Sequence, residues 1–147
     1  MAVQFVQSYL VALGGLVVGA AAGFWVSRIR GGTPGDLSAR LTLTLLAAVG
    51  TAHLVLIPVV ELERKLMFGL YFASVVVVIA VAVFRWPIWR LGAVLLPLGS
   101  ILGYAYFAVQ VHEVDYIGLA VKVVEVATIA AALTPLFVRH QSRPSVA

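Results

Sequence analysis

Five apolar runs, each close to the length that carries a helix across hydrocarbon, occupy most of the chain and leave only short breaks between them. A spanning helix needs roughly 20 consecutive apolar residues. The runs cover residues 3–26, 41–60, 66–84, 91–111 and 116–138. In lipid a continuous apolar stretch can satisfy its backbone amides internally only as a helix, so the β-branched Val75-Val76-Val77-Val78 does not make the third run a strand. The reading is all-α: an integral membrane bundle of five transmembrane helices in a single domain over residues 1–147, with 139–147 as a mobile tail. Composition agrees, since 11% of residues are charged against about 25% in an average soluble domain.

The basic residues set an orientation. Arg28, Arg30, Arg40, Arg85, Arg90, Arg139 and Arg143 flank the breaks on one side, and only Arg64 and Lys65 flank those on the other. Seven against two predicts the amino terminus outside and the carboxyl terminus in the cytoplasm. The first run lacks a basic stretch ahead of it, so it reads as a retained helix, although Ala20-Ala21-Ala22 imitates a cleavage site. The net positive charge is thereby assigned to membrane interfaces, and no nucleic-acid partner is expected. The chain has no cysteine, which removes disulfides, thiolate metal sites and thiol nucleophiles.

Two sets of small residues recur at helical spacing. Gly15, Gly19 and Gly23 share one face of the first span, and Gly99 and Gly103 share one face of the fourth. Such faces let helices approach closely, so both are candidate packing surfaces, although glycine is also simply frequent in membrane helices. Only one of them is needed to dock the first span on the rest. Asp36 or Ser38 is the candidate cap of the second span, and Glu61-Leu62-Glu63-Arg64-Lys65 reads as the connection to the third.

The ionisable residues inside the apolar runs carry the functional argument. With this topology His53 lies about 10 Å below the outer end of the second span, and Lys122 and Glu125 lie about 9 and 13 Å below the outer end of the fifth. The three are expected at similar depth. Glu61, Glu63, His112, Glu113 and Asp115 form the rim above them, with Gln110, Tyr106, Tyr71 and Ser74 nearby. Intramembrane charges are expensive and usually face a protein interior or a wet cavity. A plainer reading remains open for each. Lys122 and Glu125, three apart, can simply pair with each other and lower the cost of insertion; Lys122 can snorkel outward; His53 can be a neutral interior histidine; and the His112 loop can be merely solvated.

Imidazole and carboxylate together suit a metal ion, and His53, Glu61 and Glu125 are the leading donors, with His112, Glu113 and Asp115 above them. No standard ligand spacing such as HExxH supports that assignment. Haem between the histidines is disfavoured, because His112 sits at the rim and His140 on the opposite side from His53. Ser74, Ser100, Thr128 and Thr134 are scattered without a nucleophile elbow and are expected to bond back to their own helices.

His53-x4-Pro58-x2-Glu61, followed by Gly69-x2-Phe72 and by Glu125 in the last span, resembles a pattern in a group of small multi-spanning prokaryotic membrane proteins, over roughly residues 45–133. That group carries a second His or Glu directly after the proline, where this chain has Val59-Val60. The resemblance implies a prokaryotic plasma membrane and a joint role for His53, Glu61 and Glu125.

The functional expectation is a non-enzymatic accessory or interaction subunit of a larger membrane complex, with a protein partner or a second copy within the bilayer. The alternative is a membrane protein that binds or conducts a metal ion or proton through the His/Glu/Lys cluster. A third is an intramembrane enzyme acting on a lipid or quinone, for which the tyrosines and Lys122 are the only candidates.

Overall fold

The computed structural model describes residues 2–29, 36–60, 62–111 and 115–141. Among them run α1 (Ala2–Ile29), α2 (Leu37–Leu56), α3 (Leu62–Val83), α4 (Trp89–Val111) and α5 (Tyr116–Gln141), with a single 3-10 turn at Ile57–Val59 after α2. Each of the five is long and apolar enough to cross a membrane. Helices α2, α3, α4 and α5 close a ring in that order, with α5 returning against α2, and α1 packs on the outside of α2. The first span thus docks on a ring formed by the other four.

Helix ends depart from the hydropathy boundaries where caps and prolines act. Helix α2 starts four residues before its apolar run because the Asp36 carboxylate accepts from the Ala39 amide at 3.1 Å. It stops at Leu56 because Pro58 allows only a 3-10 turn to follow. The expected connection 61–65 is shorter than it reads: Glu63, Arg64 and Lys65 lie in the first turns of α3, being good helix formers with Glu63 at the favourable amino-terminal end. Helix α5 continues to Gln141, so the first residues of the expected mobile tail are helical. At the end of α3, Arg85 takes a left-handed φ of 62°, and the Arg85 and Trp86 amides reach back to the Ala82 and Val81 carbonyls at 3.0 and 3.1 Å. That closes the helix as a Schellman turn.

The α1–α2 seam is made by glycine. A Cβ on Gly19 would lie 2.5 Å from the Ala47 carbonyl oxygen and 2.7 Å from Ala48 Cα; one on Gly23 would lie 2.6 Å from the Leu43 oxygen; one on Gly15 would lie 2.6 Å from Val55 Cγ2. The two backbones touch, as the spacing predicts. Gly99 and Gly103 behave differently: a Cβ at either meets nothing within 4 Å. Among the described residues their expected packing role is not fulfilled, because that face of α4 points away from the ring.

Inside the ring, Leu43, Leu46, Val75, Ala82, Trp89, Ala93 and Ala132 form a fully apolar core. At the end of the bundle where α2 begins, Pro135 has no amide hydrogen, so the Ala131 carbonyl four residues earlier loses its helical donor. Ser38 supplies one, its hydroxyl donating to Ala131 O at 2.6 Å. Arg90 crosses from α4 to Ser38 Oγ at 3.1 Å, Ala132 O at 3.2 Å and Asp36 Oδ1 at 3.3 Å. Three helices are thus tied at one proline. Ser38→Ala should lower stability in mild detergent by about 1 kcal/mol. In a Pro135→Ala background, where residue 135 regains its amide, the same change should cost distinctly less in denaturant titration. Equal costs in both backgrounds would show that the proline plays no part.

Candidate functional site

A polar cluster lies in the half of the ring farther from Arg90, with one contribution from each of its four helices. Helix α2 supplies His53, α3 supplies Tyr71, α4 supplies Ser100, and α5 supplies Lys122 and Glu125. Helical geometry puts residues three apart on one face, so Lys122 and Glu125 project together. Lys122 Nζ donates to Glu125 Oε2 at 2.8 Å and also to Ser100 Oγ. The snorkelling alternative is not taken: the ammonium turns inward, and the Lys122 side chain is 11% exposed while Glu125 is 0% exposed.

His53 comes down from α2 onto the other carboxylate oxygen, with Nε2 4.0 Å from Glu125 Oε1. Its ring stacks on Tyr71 at 4.2 Å between centroids and takes the edge of Phe68 at 4.9 Å. Its Nδ1 lies 2.9 Å from the Val49 carbonyl of its own helix. A carbonyl can only accept, so Nδ1 carries the hydrogen, and in the neutral ring Nε2 is a bare lone pair. Glu125 Oε1 and Tyr71 Oη are buried neighbours, so the Tyr71 hydroxyl is a donor on hand for the carboxylate, but neither atom makes a well-formed hydrogen bond. An ionised carboxylate oxygen and an unprotonated imidazole nitrogen, both acceptors, therefore oppose each other in an apolar interior. That arrangement is unfavourable until a hydrogen comes between them.

The other expected site residues divide three ways. Glu61, His112 and Glu113 lie outside the described residues. Asp115 caps α5, its carboxylate accepting from the Ile117 and Gly118 amides at 3.0 and 3.1 Å, a structural task at the helix start. Tyr106 is 69% exposed and points away from the cluster. Sequence reading set Ser100 among hydroxyls that bond back to their own helices, which Thr128 and Thr134 do; Ser100 instead takes the lysine. Phe68 carried no polar signal, and only its place one turn before Tyr71 on α3 could have singled it out.

The donor set bears on the metal reading. Among the described residues no group of three or more His, Asp or Glu converges. Of the three leading donors, His53 and Glu125 meet, and Lys122 already holds the second carboxylate oxygen of Glu125. A divalent cation there would face an ammonium across one carboxylate. No family model matches the chain, and neither any curated protein nor any solved structure is similar to it.

Proposed function

We propose that the chain is a multi-pass protein of a prokaryotic plasma membrane, amino terminus outside and carboxyl terminus in the cytoplasm, that binds and releases a proton at the His53–Glu125 couple. The observation that carries the reading is the opposition of His53 Nε2 and Glu125 Oε1 at 4.0 Å with His53 Nδ1 committed to Val49. One proton converts the repulsion into attraction in either of two places. On Nε2 it makes an imidazolium beside a carboxylate; on Oε1 it makes a carboxylic acid that donates to Nε2. The Lys122–Glu125 pair is neutral as a unit, so the site begins uncharged and gains a single positive charge, the smallest load a buried cluster can take.

Infrared difference spectroscopy tests this directly. Lowering the pH over reconstituted protein should change the carboxylic-acid C=O stretch or the imidazole ring modes, and Glu125→Gln and His53→Ala should each remove the signal. Spectra identical in wild type and both variants would dismiss the proton site.

A second reading, that of an accessory subunit in a larger complex, is favoured by the open Gly99–Gly103 face of α4. A small-residue strip that no described helix of its own chain covers is what a helix of another chain packs against.

A further inference from the structure

The geometry points to a proton site that is open to one end of the bundle only, through the seam between α4 and α5, and closed toward the Arg90 end. This rests on the proton reading of His53 and Glu125, and it changes what that reading means: the bundle loads and unloads from a single compartment and is not a conduit across the membrane.

Between the couple and the polar network at Arg90 the buried hydroxyls lead nowhere. Thr128 Oγ1 donates to Val124 O at 2.8 Å and Thr42 Oγ1 to Ser38 O at 2.7 Å, so both buried hydroxyls are spent on their own helices. Between Glu125 and Ala132 lies about 10 Å of helix rise, and at that level the ring is filled by Leu43, Leu46, Val75, Ala93 and Trp89, each 3% exposed or less. Val75 is seated tightly, since a Cβ on Gly50 would lie 2.8 Å from its Cγ1. Close-packed aliphatic side chains leave no room for a file of water.

Toward the other end there are two halves. Above His53, Leu56, Ala12 and Ile117 close over the ring with Phe68 and Tyr9 packed against them. The α4–α5 side carries the polar groups of this end, Ser100, Lys122, Tyr104 and Asp115. Lys122 is the most exposed member of the ion-paired trio, with Ser100 beside it. The Tyr104 ring lies 5.7 Å from its Nζ, and the Tyr104 hydroxyl donates to the Asp115 carbonyl at 2.8 Å. Gly118 gives that ring its place on α5, where a Cβ would lie 2.5 Å from Tyr104 Cε2. The titratable groups facing the couple are thus Tyr71 from α3 and Lys122 from α5, with Tyr104 of α4 over the lysine. A proton arriving along the seam reaches the lysine–glutamate pair first: Lys122 gives a hydrogen to Glu125 Oε2 as it regains one from the seam, and rotation of the neutral carboxylic acid about its Cγ–Cδ bond then presents that hydrogen to His53 Nε2.

The chain has no cysteine, so single cysteines can be introduced without removing any. Leu62→Cys and Trp86→Cys, both at exposed positions at opposite ends, assign the two sides with a membrane-impermeant maleimide in vesicles of either orientation. Ser100→Cys should then label from the Leu62 side at least ten times faster than from the Trp86 side, and Leu46→Cys from neither. Labelling of Ser100→Cys from the Trp86 side or from neither side, or of Leu46→Cys from any side, would overturn the one-ended route. The labelling pattern does not depend on protonation. A correct pattern without an infrared signal would leave the seam standing and remove the proton, whereas a signal with two-sided labelling would do the reverse.

Discussion

Lys122→Met, in an otherwise unchanged chain, is expected to cost about 3–5 kcal/mol of stability, the usual penalty for removing one partner of a buried ion pair. Glu125 is wholly buried and Lys122 is its one charged hydrogen-bond donor among the described residues. Without it the carboxylate must stay ionised among apolar neighbours or take up a proton. The loss should therefore shrink as pH falls, because a neutral carboxylic acid is cheaper to bury than an anion. The double variant Lys122→Met/Glu125→Leu should recover most of the stability, since replacing both members by apolar groups removes the unpaired charge along with the pair. Denaturation of the purified variants in one mild detergent measures all of this. If the double variant is as unstable as Lys122→Met, packing around residue 122 and not charge is responsible.

Gly19→Ile should strip α1 from the bundle. The site for even one methyl is already occupied by the Ala47 carbonyl and Ala48 Cα, so the side chain can be placed only by moving one backbone off the other. Overpacking a close-fitted site typically costs about 1–3 kcal/mol before structure gives way, and here nothing soft is available to yield. A disulfide between cysteines placed at Leu16 and Ala52 should form readily in the parent and fail in Gly19→Ile; unchanged cross-linking would show that the helices do not meet at this seam. Gly103→Ile has open space around it and should leave the monomer's stability unaltered. If α4 carries a partner in the membrane, the same substitution should reduce the size of the particle recovered in mild detergent. A particle of monomer size from both proteins would remove the accessory-subunit reading.

Hydropathy made the five helices legible because length and apolarity decide them, and the Gly15-Gly19-Gly23 spacing marked the α1 seam as one of two readings, the other being the ordinary frequency of glycine in membrane helices. The similar depth of His53 and Glu125 followed from counting residue rise along two helices whose relative direction the loops had fixed, while their contact depends on how α2 and α5 are turned. What could not be read was which hydroxyls turn toward the site. Ser100 and Thr128 look alike in sequence, and only the rotation of α4 and α5 about their axes sends one to Lys122 and the other back to Val124. Tyr106 misled for the same reason, being turned outward, whereas Asp115 caps the start of α5. Arg90 read as an interfacial anchor, and its reach to Ser38 and Ala132 depends on how α2 and α5 pack beside α4.

Helix α2 is enclosed by α1, α3 and α5, is the most buried of the five spans, and has the lowest mean hydropathy of them. A segment that partitions weakly into lipid by itself but is sheathed in the finished protein gains its place by company. During biosynthesis its commitment to the bilayer would fall due when α3 and α5 emerge, and a chain halted after α2 would be the intermediate most prone to slip back and be degraded.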